Sequence, residues 1–263
     1  MKTILKILLA GALLCAAVFA VSAQNSGTGS QSYARSLFSQ AVRDYDAGEF
    51  SKAREGLEEI VRMGIHDPAV YYNLGNTCAR TGDTGGGVFY YMQARRLAPR
   101  DGDIRDNLLR ISPADNHPER FPLIIPFVWL RDYFSLDEWT LSAGVLFGTA
   151  FAVFAAALFL RDALKARRLR IVGILIAVLA VSALFFTALR FHGEAMTRTA
   201  VIMKAESISR SGPGEQFEEI YKLPAGTAVR LISTPQQGWV RMRLADGRSG
   251  YIRLGDVRLL QSL

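Results

Sequence analysis

The residues able to do chemistry are few, and their spacing assembles no reaction centre. His66, His117 and His192 stand far apart with no ligand spacing, and the chain holds no G-x-S-x-G, H-E-x-x-H or Cys-His pairing. The carboxylate neighbours Glu58-Glu59 and Glu218-Glu219 suit solvated faces better than an acid pair cleaving glycosidic bonds. Thr84-Gly-Gly-Gly87 lacks the lysine that would make it a phosphate-binding loop. The expectation is a protein that is not an enzyme and uses no metal or cofactor. What remains is recognition by aromatic and amide side chains, and its candidates cluster around Asn76 and around Trp239.

The elements that must position Asn76 are helical. From Tyr33 a pattern repeats at 34 residues, clearest in Tyr71-Tyr72-Asn73-Leu74-Gly75-Asn76, then Gly82-Asp83, Tyr91, Ala94 and Pro99. Small residues at Gly75 and Ala94 let two antiparallel helices approach, Gly82 allows the turn between them, and Pro99 ends the second. The first copy matches at Leu37, Ala41, Tyr45, Gly48, Ala53 and Leu57, but has Ile65 where the pattern expects proline, and Pro68 follows three residues later. Three consecutive glycines cost about 1 kcal/mol each relative to alanine in a helix, so the helix beginning at Thr84 is expected to start softly. Asp103-Ile-Arg-Asp-Asn-Leu-Leu-Arg110 begins a capping helix. The spacing resembles the tetratricopeptide repeat, assigned here to residues 33–111. That resemblance implies a peptide groove lined by Phe38, Val42 and Tyr45 in the first copy and Tyr72, Asn76 and Arg80 in the second. Asn76 is the leading candidate, because an Asn there can bond both edges of a peptide amide; Phe38 and Val42 serve equally well as packing between repeats.

Around Trp239 the period is two: Val240, Met242 and Leu244 alternate with Arg241 and Arg243, and Asp246-Gly247 signals a tight hairpin before Gly250-Tyr251-Ile252. The order Gly-Trp-Val, Asp-Gly, Gly-Tyr-Ile and Asp-Val-Arg-Leu resembles a bacterial SH3 domain, assigned to 196–263. Trp239 and Tyr251 are its candidates for a peptide or ligand groove, with barrel core as the alternative role.

Between these parts lie two uncharged runs, Trp139–Leu160 and Ile171–Leu189, each long enough to cross a hydrocarbon core of about 30 Å. The segment 161–170 holds five basic residues and one acid, which predicts a cytoplasmic loop and places both flanking parts outside the cytoplasm. Gly144, Gly148, Ala152 and Ala156 recur every fourth residue in the first run, as do Gly173 and Ala177 in the second. They fit either a seam inside the hairpin or a surface for another membrane protein. Met1–Ala23 has a basic start, an apolar run and the small-residue ending Val21-Ser22-Ala23 of a secretory signal; an uncleaved anchor leaves the topology unchanged. After cleavage Cys78 is the only cysteine, so no intramolecular disulfide can form and the thiol is expected to be buried. Residues 24–32 read as a flexible lead-in, and 112–138, with Pro113, Pro118, Pro122 and Pro126 among aromatics, as an interfacial linker.

The net charge of +7 gives a pI near 9.6, yet Gln24–Ser135 holds 13 basic and 14 acidic residues. The excess sits mainly in the short loop, where topology accounts for it, and nucleic-acid binding is not expected. The fold class is therefore multi-domain: tetratricopeptide helices, two transmembrane helices in the lipid bilayer, and a small all-β SH3-like barrel.

This order of parts, with Asp-Ile-Arg-Asp-Asn-Leu-Leu ahead of the proline-aromatic linker, resembles the BatE-type proteins of aerotolerance operons. The resemblance implies an inner-membrane scaffold with periplasmic domains, partnered by membrane proteins carrying von Willebrand A domains and linked to a MoxR-type ATPase. The alternative expectation is a cell-wall sensor whose SH3 domain binds peptidoglycan.

Overall fold

The computed structural model describes residues 28–113, 130–196 and 198–260. The signal segment, the start of the lead-in, and Pro118, Pro122 and Pro126 of the linker lie outside the described residues. The chain divides into two compact units, one ending at Ile65 and the next beginning at His66, which is where the 34-residue pattern renews itself.

The first unit pairs α1 (Thr28–Asp46) with α2 (Phe50–Arg62). Ala34 and Ala41 face Ala53, Leu57 and Ile60 in its core, and a methyl group on Gly56 would just touch the Cβ of Ala41, at 3.4 Å. Residues 28–32, expected to be flexible, are helical: no proline interrupts them, and a formed helix extends at one hydrogen bond per residue. The missing proline at Ile65 has a substitute. Gly64 adopts φ +78°, its N–H donates to Val61 O at 3.0 Å, and Ile65 N–H donates to Ile60 O at 3.3 Å, a Schellman closure that stops α2 without proline.

In the second unit, α3 (Pro68–Arg80) starts with Asp67 accepting from Ala69 N at 2.7 Å and Pro68 at the first turn. It packs on α4 (Thr84–Leu97), followed by α5 (Gly102–Ile111). Tyr71, Leu74, Cys78, Val88, Tyr91, Ala94, Ile104 and Leu108 fill the space between them, and Cys78 is fully buried. Gly75 is indispensable there: a methyl group on it would lie 2.5 Å from the Tyr91 ring.

The glycine triplet does not leave α4 soft. Asp83 accepts from Gly86 N at 2.8 Å and caps the helix, and Gly85, Gly86 and Gly87 are all buried. Their smallness serves packing: a methyl group would meet the Ile202 carbonyl oxygen at 2.8 Å from Gly85, Cys78 Sγ at 2.9 Å from Gly86, and Ile111 Cδ1 at 2.7 Å from Gly87.

Among the described residues two helices are long and apolar enough to cross a membrane: α6 (Leu136–Phe159) and α7 (Ala163–Met196), packed as an antiparallel hairpin. Ser135 and Glu138 cap α6 reciprocally in a capping box. The connection is shorter than the expected loop 161–170. Only Leu160–Asp162 breaks the helices, Asp162 accepts from Leu164 N and Lys165 N, and Lys165, Arg167, Arg168 and Arg170 ride on the first turns of α7. The hairpin seam also differs from the four-residue series. Its buried small residues are Ala143, Ala150 and Ala157 on α6, seven residues apart, and Ala166, Gly173, Ala180 and Ala183 on α7, so only Gly173 of the four-residue series lies buried in it. Gly144, Gly148, Ala152 and Ala156 are exposed, because a heptad seam between nearly antiparallel helices selects a different stripe.

After α7 the described residues form seven antiparallel strands: β1 (Arg198–Ile202), β2 (Glu206–Arg210), β3 (Glu219–Pro224), β4 (Ala228–Leu231), β5 (Trp239–Arg243), β6 (Ser249–Arg253) and β7 (Val257–Leu259), ordered β3-β2-β6-β5-β4-β1-β7. Asp246-Gly247 closes the β5–β6 hairpin as its pattern predicts, with Gly247 at φ +90°. Ala200, Ile202, Leu223, Val229, Val240, Met242 and Ile252 form one core. Leu223 and Ile202 come from strands near opposite ends of the order and meet only because the sheet curls on itself.

Helices and sheet are not two separate soluble parts. Gly85 of α4 abuts Ile202–Met203 at the end of β1, Gly226 fits against Thr84, Val88 and Pro113, and Arg258 of β7 lies 4.3 Å over the Phe89 ring and donates to the Tyr90 hydroxyl at 3.2 Å.

Candidate peptide-binding surfaces

The first unit contributes Phe38, Val42 and Tyr45, at spacings of four and three residues along α1 and therefore on one face. All three are half-buried, and Tyr45 meets Phe50 of α2 edge to face with ring centroids 5.3 Å apart. Tyr45 thus packs across the turn that joins α1 to α2.

In the second unit Tyr72, Asn76 and Arg80 climb α3 one turn at a time. Arg80 is exposed, whereas Tyr72 and Asn76 belong to a polar cluster whose other members come from neighbouring helices. The Tyr91 hydroxyl donates to Asn76 Oδ1 at 2.6 Å, and Asn107 Nδ2 donates to the Tyr72 hydroxyl at 3.0 Å and to Asn76 Oδ1 at 3.4 Å. Gripping both edges of a peptide amide needs Asn76's carbonyl free, and that oxygen already accepts two hydrogen bonds. The expectation narrows to donation from Asn76 Nδ2, with its plane fixed by Tyr91 and Asn107. Asn107 was not among the candidates. Its motif reads as a cap, and only the packing of α5 against α4 carries it to Tyr72 and Asn76.

His66, itself exposed, meets the buried Tyr71, with Nδ1 and the hydroxyl 2.6 Å apart and their rings stacked. Burial raises the Tyr71 phenol above its ordinary value, a shift opposed by the nearby charges of Arg258 and Arg96. Among the described residues no group of three or more His, Cys, Asp or Glu side chains could hold a metal ion.

On the sheet, Trp239 and Tyr251 share the face opposite the core, since Val240, Met242, Gly250 and Ile252 alternate with them and point inward. They form no open aromatic cleft, and neither belongs to the main core cluster, although Trp239 is itself buried. Trp239 is 8% exposed, with the Arg253 guanidinium 5.6 Å over its ring, and Arg253 in turn pairs with Glu215. Tyr251 is half-buried between Arg241 and Arg210, its partners on the two neighbouring strands. A peptide groove on Trp239 would first have to displace a cation–π contact.

A third constellation was missed by assigning 112–138 to a linker. Arg190 of α7 is buried, donates to the carbonyl oxygens of Arg131 (3.3 Å) and Arg96 (3.5 Å), and lies 3.6 Å from Asp132. Arg100 pairs with Glu138 and sits 5.3 Å from the ring centroids of both Tyr133 and Phe134. Trp139 donates to Arg131 O at 3.2 Å and stacks on Phe186 at 4.9 Å. The C-terminal end of α4, residues 131–135 and both apolar helices are tied together by these contacts. The only sequence signal was a set of arginines flanking apolar runs.

No protein-family model matches the chain, and neither does any curated protein.

Proposed function

We propose that this chain is a membrane-anchored scaffold of the BatE type, a non-enzymatic protein that carries tetratricopeptide-like helices and an SH3-like sheet outside the cytoplasm for protein–protein interaction in an envelope stress complex. The observation that carries this reading is the single packed body formed by α3–α5 and the sheet, joined to one end of an apolar hairpin through Arg190, Arg100 and Trp139. Such a body holds its recognition surfaces at fixed distance and angle from the bilayer, which is what a scaffold requires and a tethered bead on a loose linker lacks.

Two further features support it. Lys165, Arg167, Arg168 and Arg170 gather at the hairpin turn, the arrangement that retains a short connection in the cytoplasm. The exposed series Gly144, Gly148, Ala152 and Ala156 has the spacing that admits a second membrane helix at close range. Its partners on this reading are membrane proteins of the von Willebrand A type linked to a MoxR-type ATPase.

Alkaline phosphatase fused after the last strand is expected to be active, and fused at Asp162 inactive. Crosslinking in intact membranes, followed by gentle detergent extraction and mass spectrometry, is expected to recover the chain with other membrane proteins. Recovery of the chain alone, with or without active fusions, would reject the scaffold, and purified protein sedimenting with sacculi in place of partners would favour the cell-wall sensor.

A further inference from the structure

The outer face of the sheet carries an arrangement that the fold does not need. Arg230 of β4 stands directly opposite Arg243 of β5, and Arg241 lies two residues along β5, opposite Tyr251. All three arginines are exposed. Nearby arginines have acids: Arg210 pairs with Glu219 at 2.9 Å, Arg248 with Asp246, and Arg253 with Glu215. Among the described residues, the guanidinium groups of Arg230, Arg241 and Arg243 make no ion pair. Residues directly opposite on antiparallel strands have Cα atoms about 4.5–5.5 Å apart, and like charges placed there disfavour the pairing.

We propose that this face docks an acidic, extended segment of a partner protein, with Arg230, Arg241 and Arg243 as its anchors. The inference rests on the scaffold reading and names the chemistry of one partner. Two positions along a strand are separated by about 6.8 Å, so Arg241 and Arg243 match carboxylates on alternate residues of an extended chain. Arg230 adds a third guanidinium beside the second. Each can take a carboxylate in a two-pronged geometry. Tyr251, half-buried beside Arg241, supplies an apolar floor.

The residue types favour a carboxylate segment over anionic lipid. Of the ten basic residues between 194 and 263, eight are arginine, the side chain suited to planar bidentate pairing. Attraction to a charged membrane surface asks for neither register nor guanidinium, since lysine serves it equally.

The test uses the full chain in micelles of uncharged detergent and a fluorescein-labelled peptide of six Glu-Thr repeats, with six Gln-Thr repeats as its neutral counterpart, read by fluorescence anisotropy. The acidic peptide is expected to bind at least tenfold more tightly than the neutral one. Arg241→Gln/Arg243→Gln is expected to lose at least tenfold, and Lys204→Gln/Lys222→Gln, the same charge loss elsewhere on the sheet domain, less than twofold. Equal losses in the two double variants, or none in the first, overturn the inference. So does a tenfold weakening of peptide binding when the chain is moved from neutral to anionic lipid nanodiscs, because headgroups then occupy the face. These outcomes leave the scaffold reading standing, since crosslinked partner recovery decides that separately.

Discussion

Replacing Gly85 by alanine sets two effects of opposite sign against each other. Alanine is favoured over glycine by about 1 kcal/mol inside a helix, so α4 taken alone should gain. The added methyl, however, would lie 2.8 Å from Ile202 O and 2.9 Å from Met203 Cα, both backbone atoms at the end of β1. Backbone cannot rotate away, and forced overpacking costs about 1–3 kcal/mol, so the net expectation is a loss of about 1 kcal/mol. Gly87→Ala is the matched control. It sits two residues along the same helix with the same propensity gain, but its methyl meets Ile111 Cδ1, the tip of a flexible side chain, at 2.7 Å. Its net effect should lie between neutral and a gain of about 1 kcal/mol. In a unit of this size 1 kcal/mol moves Tm by about 2–4 °C, so the two variants should fall on opposite sides of the parent or differ by several degrees. Thermal unfolding followed by circular dichroism in detergent reads the shift, and hydrogen exchange at Ile202 and Met203 reads the interface itself. If Gly85→Ala stabilises as much as Gly87→Ala, the glycine triplet is not the seat of the sheet and the single-body argument fails.

Other expectations follow from individual contacts. The Tyr71 phenol is raised in the folded state, so its contribution is fully present below the ordinary phenol value near 10 and fades as pH climbs toward the raised folded value. Melting curves between pH 8 and 11 should therefore fall more steeply for the parent than for Tyr71→Phe, and parallel curves would refute the assignment. Ser209 is fully buried and, among the described residues, its hydroxyl has no hydrogen-bond partner, so Ser209→Ala should stabilise by about 1 kcal/mol, checked by denaturant titration; a loss of that size would reveal a hidden partner. Arg190→Ala removes charged hydrogen bonds to two carbonyl oxygens and leaves Asp132 without this cation, which should cost about 2 kcal/mol and lower Tm in detergent. An unchanged Tm would mean that Arg190 does not tie α7 to the body.

The parts that local patterns govern were legible in the residues. Uncharged runs of membrane length, glycine turns at Gly48 and Gly82, the Asp246-Gly247 hairpin and strand alternation on β5 each follow from the chemistry of a few neighbouring residues, and the elements appear where those patterns lie. Boundaries were less legible where one signal replaced another: Gly64 ends a helix that lacks its proline, and α7 takes up most of the basic loop.

Contacts between distant segments required the folded chain. Whether Gly85 weakens a helix or receives a strand depends on Ile202, more than a hundred residues away, and whether Asn76 is open or already engaged depends on Asn107. The same holds for Trp239, whose ring is covered by an arginine from the neighbouring strand, and for the hairpin seam, where heptad packing chose Ala143, Ala150 and Ala157 over the more conspicuous glycines. Sequence alone determined the kinds of elements and their order, because hydrophobic period, turn chemistry and charge act over a few residues. Tertiary structure alone decided which surfaces remain available, because burial and pairing are settled by whichever remote group arrives.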